Sequence, residues 1–218
     1  MPLERAAYFF ARAVNRSTLR AAVSLAVFLL LWEVSSQSKD WFGFAMPWVG
    51  IIPAPTKVAA AWVALLPDPG YWQSWYMSFY RVIGGFTVAM IVGIPLGLVM
   101  ATSRIFRATF FPVLEVLRPV PPLAWVPLSI IFWPTQELSI VFVTFLGAFF
   151  TVVINVLGGA RSIDLRYIQM ASSLGYSRWN VFRRIVFPAT LPSIVTGAAV
   201  GMGITWEVVV AAEMVSGG

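Results

Sequence analysis

From Val82 to Ser103 the chain runs for twenty-two residues without a charged side chain. As a helix rising about 1.5 Å per residue it reaches roughly 33 Å, enough for a hydrocarbon core of about 30 Å. Leu138–Ala160 and Ile185–Trp206 repeat the pattern. A weaker run opens the chain at about 19–34, uncharged from Ala21 to Trp32. Only 11% of residues are charged and 59% are hydrophobic, against about 25% charged in soluble domains. With a fifth, irregular segment at about 109–134, the reading is all-α: a polytopic transmembrane helical bundle. Residues 19–218 form one membrane domain, with spans at 19–34, 82–103, 109–134, 138–160 and 185–206.

Small residues punctuate the uncharged runs at every fourth position. They are Gly85, Ala89, Gly93, Gly97 and Ala101 in one, and Gly147, Thr151, Asn155 and Gly159 in the next. Ser193, Gly197, Gly201 and Thr205 follow in the last. Helices in lipid associate by close backbone approach, so these stripes predict packing faces. Asn155 is open between an interhelix hydrogen bond and a place on a solute pathway. Pro95 predicts a kink beside the first stripe.

The 109–134 segment holds Glu115, Arg118 and the proline cluster Pro119, Pro121, Pro122 and Pro127. A charge near the bilayer centre costs about 2.5–3.5 kcal/mol, and broken helix is tolerated at depth only against protein or a wet cavity. Two readings follow. A span kinked around Arg118–Pro122 lines a pathway, with Arg118 drawing an anion, Glu115 its resting partner, and Trp125 close behind. Alternatively both charges lie at the interface and only Pro122–Trp133 is embedded. Glu207 and Glu213 either close the last span at the external boundary, or Glu207 faces the pathway.

Residues 161–184 cannot sit in lipid. They carry Arg161, Arg166, Arg178, Arg183 and Arg184 against one acid, Asp164. Lys and Arg near span ends are retained in the cytoplasm. With the N-terminus inside, twelve of the fifteen basic residues fall on that side; Lys39, Lys57 and Arg81 lie outside or at the outer boundary. Two short helices are expected here. Ser162 or Asp164 caps the first, Gly175 ends it, Ser177 caps the second, and Pro188 begins the next segment. Tyr167, Met170, Ala171 and Leu174 share one face. Such a face suits a groove on another protein; the plainer alternative is a solvated loop.

Two flanking regions are less regular. Residues 1–18, with Arg5, Arg12 and Arg16, read as a cytoplasmic segment resting Leu3, Phe10 and Val14 on lipid. Between Ser35 and Tyr80, Trp41, Trp48, Trp62, Trp72 and Trp75 with Pro47, Pro53, Pro55, Pro67 and Pro69 predict an external loop. It has interfacial helices, one near Val58–Leu66; an aromatic sugar platform is the alternative.

Several chemistries are excluded. The chain has neither cysteine nor histidine, so it has no disulfide, no thiolate metal site and no Ser-His-Asp set. Asp40, Asp68 and Asp164 are scattered and predict no metal site. No G-x-x-x-x-G-K-[ST] occurs, so any ATP is bound by another chain. The net charge of +6 is spread over span ends instead of forming a nucleic-acid stripe.

The basic hairpin resembles the cytoplasmic signature of bacterial ABC-importer permeases: Glu-Ala-Ala, three residues, Gly, nine residues, Ile, one residue, Leu-Pro. Gln169, Met170 and Ala171 hold the first positions, Gly175 the glycine, Ile185 the isoleucine and Phe187-Pro188 the end. Gln replaces Glu, which removes any salt bridge from that position. Arg118–Trp133, Leu146–Asp164 and Val208–Met214 resemble the branch serving nitrate, sulfonates, taurine and bicarbonate. The resemblance implies a type I ABC importer permease fold in the bacterial inner membrane, in a subunit that is not itself an enzyme. Its partners would be two ABC ATPase subunits that bind the ATP, a second permease copy (a homodimer), a periplasmic or lipid-anchored solute-binding protein, and lipid. It assigns Asp164, Gln169, Met170, Ala171, Gly175, Arg178, Ile185 and Pro188 to an ATPase-coupling loop. It also implies a sixth span beyond the five present. A secondary transporter or channel without an ATPase is the alternative function.

Overall fold

The structure, a computed structural model, describes residues 16–38, 43 and 52–216. The expected surface contacts of Leu3, Phe10 and Val14, and the interfacial placing of Lys39, Trp41, Pro47 and Trp48, lie outside the described residues. The chain divides into two units, residues 1–72 and 73–218.

In the first unit, helix α1 (Arg16–Ser36) exposes Leu25, Phe28, Leu30 and Leu31 together. A helix apolar on every side and left uncovered is built for lipid. Helix α2 (Pro55–Leu65) begins on a proline, whose fixed φ suits the first helical position. The Glu33 carboxylate accepts from the Thr56 backbone N–H at 3.1 Å and from its hydroxyl at 2.6 Å, tying the end of α1 to the start of α2. The helix expected near Val58–Leu66 is therefore present.

Helix α3 (Pro69–Thr102) starts well before the uncharged run. Residues 69–80, expected within an irregular loop, are helical. Pro69 opens the helix instead of breaking one, and the Asp68 carboxylate accepts the Gly70 N–H at 2.9 Å.

In the second unit, α4 (Arg104–Leu117) is capped by Ser103, whose hydroxyl accepts the Phe106 N–H at 3.2 Å. The chain then breaks. A 3-10 turn (Pro122–Trp125) leads into α5 (Val126–Phe132), and the two halves are bent by 88°. Helix α6 (Gln136–Arg161) matches its expected span, with Thr135 as cap. The hairpin follows as α7 (Leu165–Ser173) and α8 (Arg178–Val181), and a π turn (Phe182–Val186) runs straight into α9 (Phe187–Ser216). Pro188 therefore lies in the first turn of a helix already under way and does not begin the segment. Helix α9 also continues through Glu207 and Glu213: Glu207 is exposed, and Glu213 is held by Arg81 and Ser78. Among the described residues, four helices are long and apolar enough to cross a membrane, or five when the bent pair counts as one span.

Helix α6 is the centre of this unit, with Val143, Val152, Val153 and Val156 fully buried. The first stripe packs on it. A Cβ at Gly85 would sit 2.1 Å from Thr144 Oγ1, at Gly93 3.1 Å from Val152 Cγ1, and at Gly97 2.9 Å from the Val153 carbonyl oxygen. The other two stripes meet each other: a Cβ at Gly159 would lie 2.2 Å from Ser193 Oγ, and one at Gly197 2.9 Å from Asn155 Cβ. Asn155 makes no interhelix bond here; its Nδ2 donates to the Thr151 carbonyl of its own helix at 2.8 Å.

A side chain at Gly97 must displace backbone, whereas a Cβ at Gly158 meets nothing within 4 Å. Gly97→Val is expected to lower stability by about 1–3 kcal/mol. Gly158→Ala should be neutral or stabilising by up to about 1 kcal/mol. Thermal unfolding of the two purified variants in detergent checks both.

Candidate functional site

The hairpin is built by its caps. The Asp164 carboxylate accepts the Arg166 N–H at 2.9 Å and starts α7, while Ser162 spends its hydroxyl on the Gly159 carbonyl. Gly175 ends α7 at φ +79°, a conformation that costs other L-residues about 1–2 kcal/mol. The Gly175 N–H reaches the Ser172 carbonyl and the Tyr176 N–H the Ala171 carbonyl, both at 3.1 Å, closing a Schellman motif. Ser177 then caps α8 through the Asn180 N–H.

Inside the hairpin Ala171, Val181 and Val186 form a small core, with Ile163, Ile168 and Ile185 against it. Ala171 therefore serves the interior. Its expected face-mates stay outside: Met170 is 61% and Leu174 72% exposed. Tyr167, Met170, Leu174, Tyr176, Arg184 and Ile185 border an open groove of about 260 Å³. The Arg184 guanidinium lies over the Tyr176 ring, 5.6 Å from its centroid, and stiffens one wall. Gln169 is exposed, and Arg178 lies on the other side, where it lines a different cavity.

At the break, Pro119, Pro121 and Pro122 supply no N–H, so the carbonyls of Glu115, Leu117 and Arg118 lack their usual donors. Val120 N–H reaches Leu117 at 3.1 Å; the other two carbonyls keep no helical partner. Glu115 and Arg118 are both exposed, and no ion pair joins them, so the expected resting pair is not formed. Arg104, Arg107, Glu115 and Arg118 nonetheless share one face of α4 at helical spacing, over about 21 Å. Ile105, Val113 and Val116 occupy another, exposed face.

Trp125 packs against two core clusters, and its buried indole N–H has no partner. With Leu128, Ser129, Phe132, Trp133 and Phe142 it lines a largely apolar pocket of about 360 Å³. Glu207 is exposed on α9, and Asn155 is held in the α6–α9 contact. One protomer therefore does not gather Glu115, Arg118, Trp125, Asn155 and Glu207 into a single site.

A charged cluster that the sequence reading passed over lies at the opposite end of the spans. Arg81, assigned above to the outer boundary, is 8% exposed. Its Nε donates to Glu137 at 2.7 Å and its Nη2 to the same carboxylate at 2.5 Å, a two-pronged contact. Its Nη1 reaches Glu213 at 2.6 Å, and Ser78 also donates to Glu213 at 2.9 Å. One arginine thus joins α3, α6 and α9. The available signal was a lone Arg heading one uncharged run, with an acid heading the next and another after the last.

The comparisons agree with this arrangement. Residues 93–218 match the family of binding-protein-dependent transport system inner membrane components. The chain belongs to that family. It is a family of transport permeases, not of enzymes, and the bundle seen here has its type I fold. An ABC transporter permease protein of Methanocaldococcus jannaschii is 44% identical over 138 residues, 63% of this chain and 52% of that protein. The nitrate import permease protein NrtB of Synechocystis is 32% identical, over 92% of this chain and 73% of its own. The taurine transport system permease protein TauC of Escherichia coli is 30% identical, over 93% and 74%. The chain thus spans about half the length of the first relative and about three quarters of the other two. The permease is a multi-pass inner-membrane protein of the branch to which the nitrate and taurine permeases belong.

Arg81→Gln would leave two carboxylates facing each other. The expected loss is about 2–3 kcal/mol, below the full cost for a buried pair because the Glu137 side chain is 43% exposed and can rehydrate. Arg81→Lys should fall between, keeping the charge without the fork. Chemical or thermal unfolding of the three proteins in detergent, compared side by side, measures it.

Proposed function

We propose that this permease is the membrane subunit of an ATP-driven importer for a small anion of the nitrate, sulfonate, taurine or bicarbonate class. The observation that carries the proposal is the hairpin. Three large apolar side chains, Tyr167, Met170 and Leu174, stand exposed on a capped, internally packed helix pair beyond the spans. Exposed residues at helical spacing on a rigid helix are what a hydrophobic groove on a partner accepts. In this reading the partner is an ABC ATPase subunit, which binds the ATP. The permease carries no cofactor of its own, pairs with a second copy that brings a second ATPase, and receives solute from a solute-binding protein outside. The N-terminus and hairpin then face the cytoplasm, as the distribution of arginines favours.

The anionic solute class is supported by the names of the relatives and by α4. Its face of three arginines and one glutamate is distinct from its exposed apolar face. In a membrane the apolar face can meet lipid, while the charged one requires water or protein. Between two copies it would wall an aqueous lane in which Arg118, beside the proline break, attracts the anion.

Met170→Asp and Leu174→Asp, both at exposed positions, should leave folding intact. Each should weaken co-purification of the ATPase subunit about tenfold, the loss typical of an interface anchor. Undiminished capture and undiminished solute-stimulated ATP hydrolysis in both would refute the coupling role. Arg118→Gln should raise the half-saturating anion concentration for uptake into proteoliposomes about five- to tenfold while ATPase capture is unchanged. An unaltered uptake curve removes Arg118 from the pathway.

A further inference from the structure

Two cavities that the permease function does not use meet end to end on the flank of α3. The first, about 300 Å³, is lined by Ile94, Pro95, Leu98 and Val99 together with Thr102 and Phe182, and is almost wholly apolar. It follows α3 for about two turns, roughly 12 Å. The second, about 620 Å³, shares Thr102 and Phe182 and adds Ser172, Tyr176, Arg178 and Trp179. Together they form one lane. It is apolar along the span, and it turns cationic and hydroxyl-lined where the span ends.

Three observations identify its occupant. The hairpin above the lane holds five arginines against one aspartate, whose carboxylate is spent on capping α7. Trp179 is 66% exposed beside Arg178, and its ring stacks on Phe182 at 5.6 Å, so a large aromatic is presented where the apolar band gives way to water. Tryptophan in that position anchors to the membrane interface. Finally, both cavities are partly open to the surface, so a molecule can enter from the side.

We infer that this lane binds an anionic phospholipid, with its acyl chain along Ile94–Thr102 and its phosphate against Arg178 and the Tyr176 hydroxyl. Such a lipid would lie under the hairpin on the face of α7 that carries Ile168 and Ser172. The groove assigned above to a partner lies on another face of α7, that of Tyr167, Met170 and Leu174, and meets this cavity only at Tyr176. The inference rests on membrane embedding and on these cavities, not on ATPase coupling, and it survives if that coupling fails.

The test is native mass spectrometry of the purified full chain in detergent supplied with phosphatidylglycerol or phosphatidylcholine. Wild type should retain phosphatidylglycerol preferentially. Arg178→Gln should lower that retention about five-fold, the effect of one basic residue at an anionic lipid surface. Arg178→Lys should keep most of it. Arg166→Gln, at a residue lining neither cavity, should leave it unchanged. Val99→Trp, which fills the apolar half, should lower retention of the two-chain lipid, and soluble glycerol phosphate should not compete. Phosphatidylglycerol brominated on its acyl chains should quench wild type more than Trp179→Phe, a readout independent of the arginine variants. Equal retention of both lipids, equal losses from Arg166→Gln and Arg178→Gln, or quenching unaffected by removal of Trp179 would overturn the inference. So would competition by glycerol phosphate, which would mark a free-anion site, or a photo-crosslinker at position 179 joining two copies of the chain.

Discussion

The bundle depends on the absence of Cβ atoms at a few positions where α3 and α9 approach α6. Lipid gives no hydrophobic reason for two apolar helices to prefer each other, so association rests on dispersion and backbone proximity. A gap of about 0.5–1 Å already forfeits a quarter to a half of that attraction. At Gly85, Gly97 and Gly159 a methyl group would stand 2.1–2.9 Å from a neighbouring atom, and at Gly85 and Gly97 those neighbours include backbone. Glycine is therefore required there for the contact itself, whatever the helix loses in propensity. Two buried hydroxyls near these contacts, Thr190 and Thr205, donate to a carbonyl in the preceding turn of their own helix, while that of Thr144 has the Val141 carbonyl of its own helix at 2.8 Å and the Arg81 carbonyl of α3 at 3.3 Å.

Close contact leaves one freedom unfixed, because two smooth helices can slide along each other. The Arg81 cluster removes it. From Arg81 to Thr102 is twenty-one steps of helix, about 32 Å, so the cluster lies about one hydrocarbon thickness from the arginine hairpin. A buried ion pair contributes little net stability after desolvation, but it discriminates strongly between right and wrong registers. A slip of one turn, about 5.4 Å, would leave a guanidinium and two carboxylates unpartnered at the edge of lipid. Packing sets which helices touch; the three charges set their height.

Much of this was legible in the sequence because membranes simplify the code. Uncharged length gave α6 nearly to the residue, and the four-residue stripes named the faces that meet. In the hairpin, Asp164, Gly175 and Ser177 act through local backbone geometry, which needs no tertiary knowledge. Three things were not legible. Pro69 reads equally as a breaker or as a first helical residue, and only the capping Asp68 decides. Arg81, Glu137 and Glu213 are far apart in the chain, so their pairing is a property of the folded spans, α3 parallel to α6 and α9 antiparallel to it. Asn155 bonded locally because Gly197 occupies the place where an interhelix partner would stand. The expected pathway residues failed to converge for a similar reason: Arg118 and Glu207 are exposed on one protomer, and spacing along a chain cannot say what faces them.

The π turn has a mechanical consequence. An ordinary loop between α8 and α9 would absorb a displacement of the hairpin in its own dihedral angles. Here Phe182–Val186 continues the helical path, with the Phe187 N–H bonded to the Phe182 carbonyl, so the helical path runs from Arg178 to Ser216, missing only the donors of Pro188 and Pro192. The hairpin's own core, with Ala171 against Val181 and Val186, ties α7 to the same element. A load on the exposed face of α7 therefore enters α9 directly. At Gly197 and Gly201, α9 lies against α6 backbone with no compliant side chain between, and its far end is pinned through Glu213 to Arg81. A segment free to answer such a load is one whose backbone is already interrupted, between Leu117 and Pro122. There the prolines have removed the hydrogen bonds that would otherwise resist a change of angle, so the 88° bend is where the protomer can change shape at least cost.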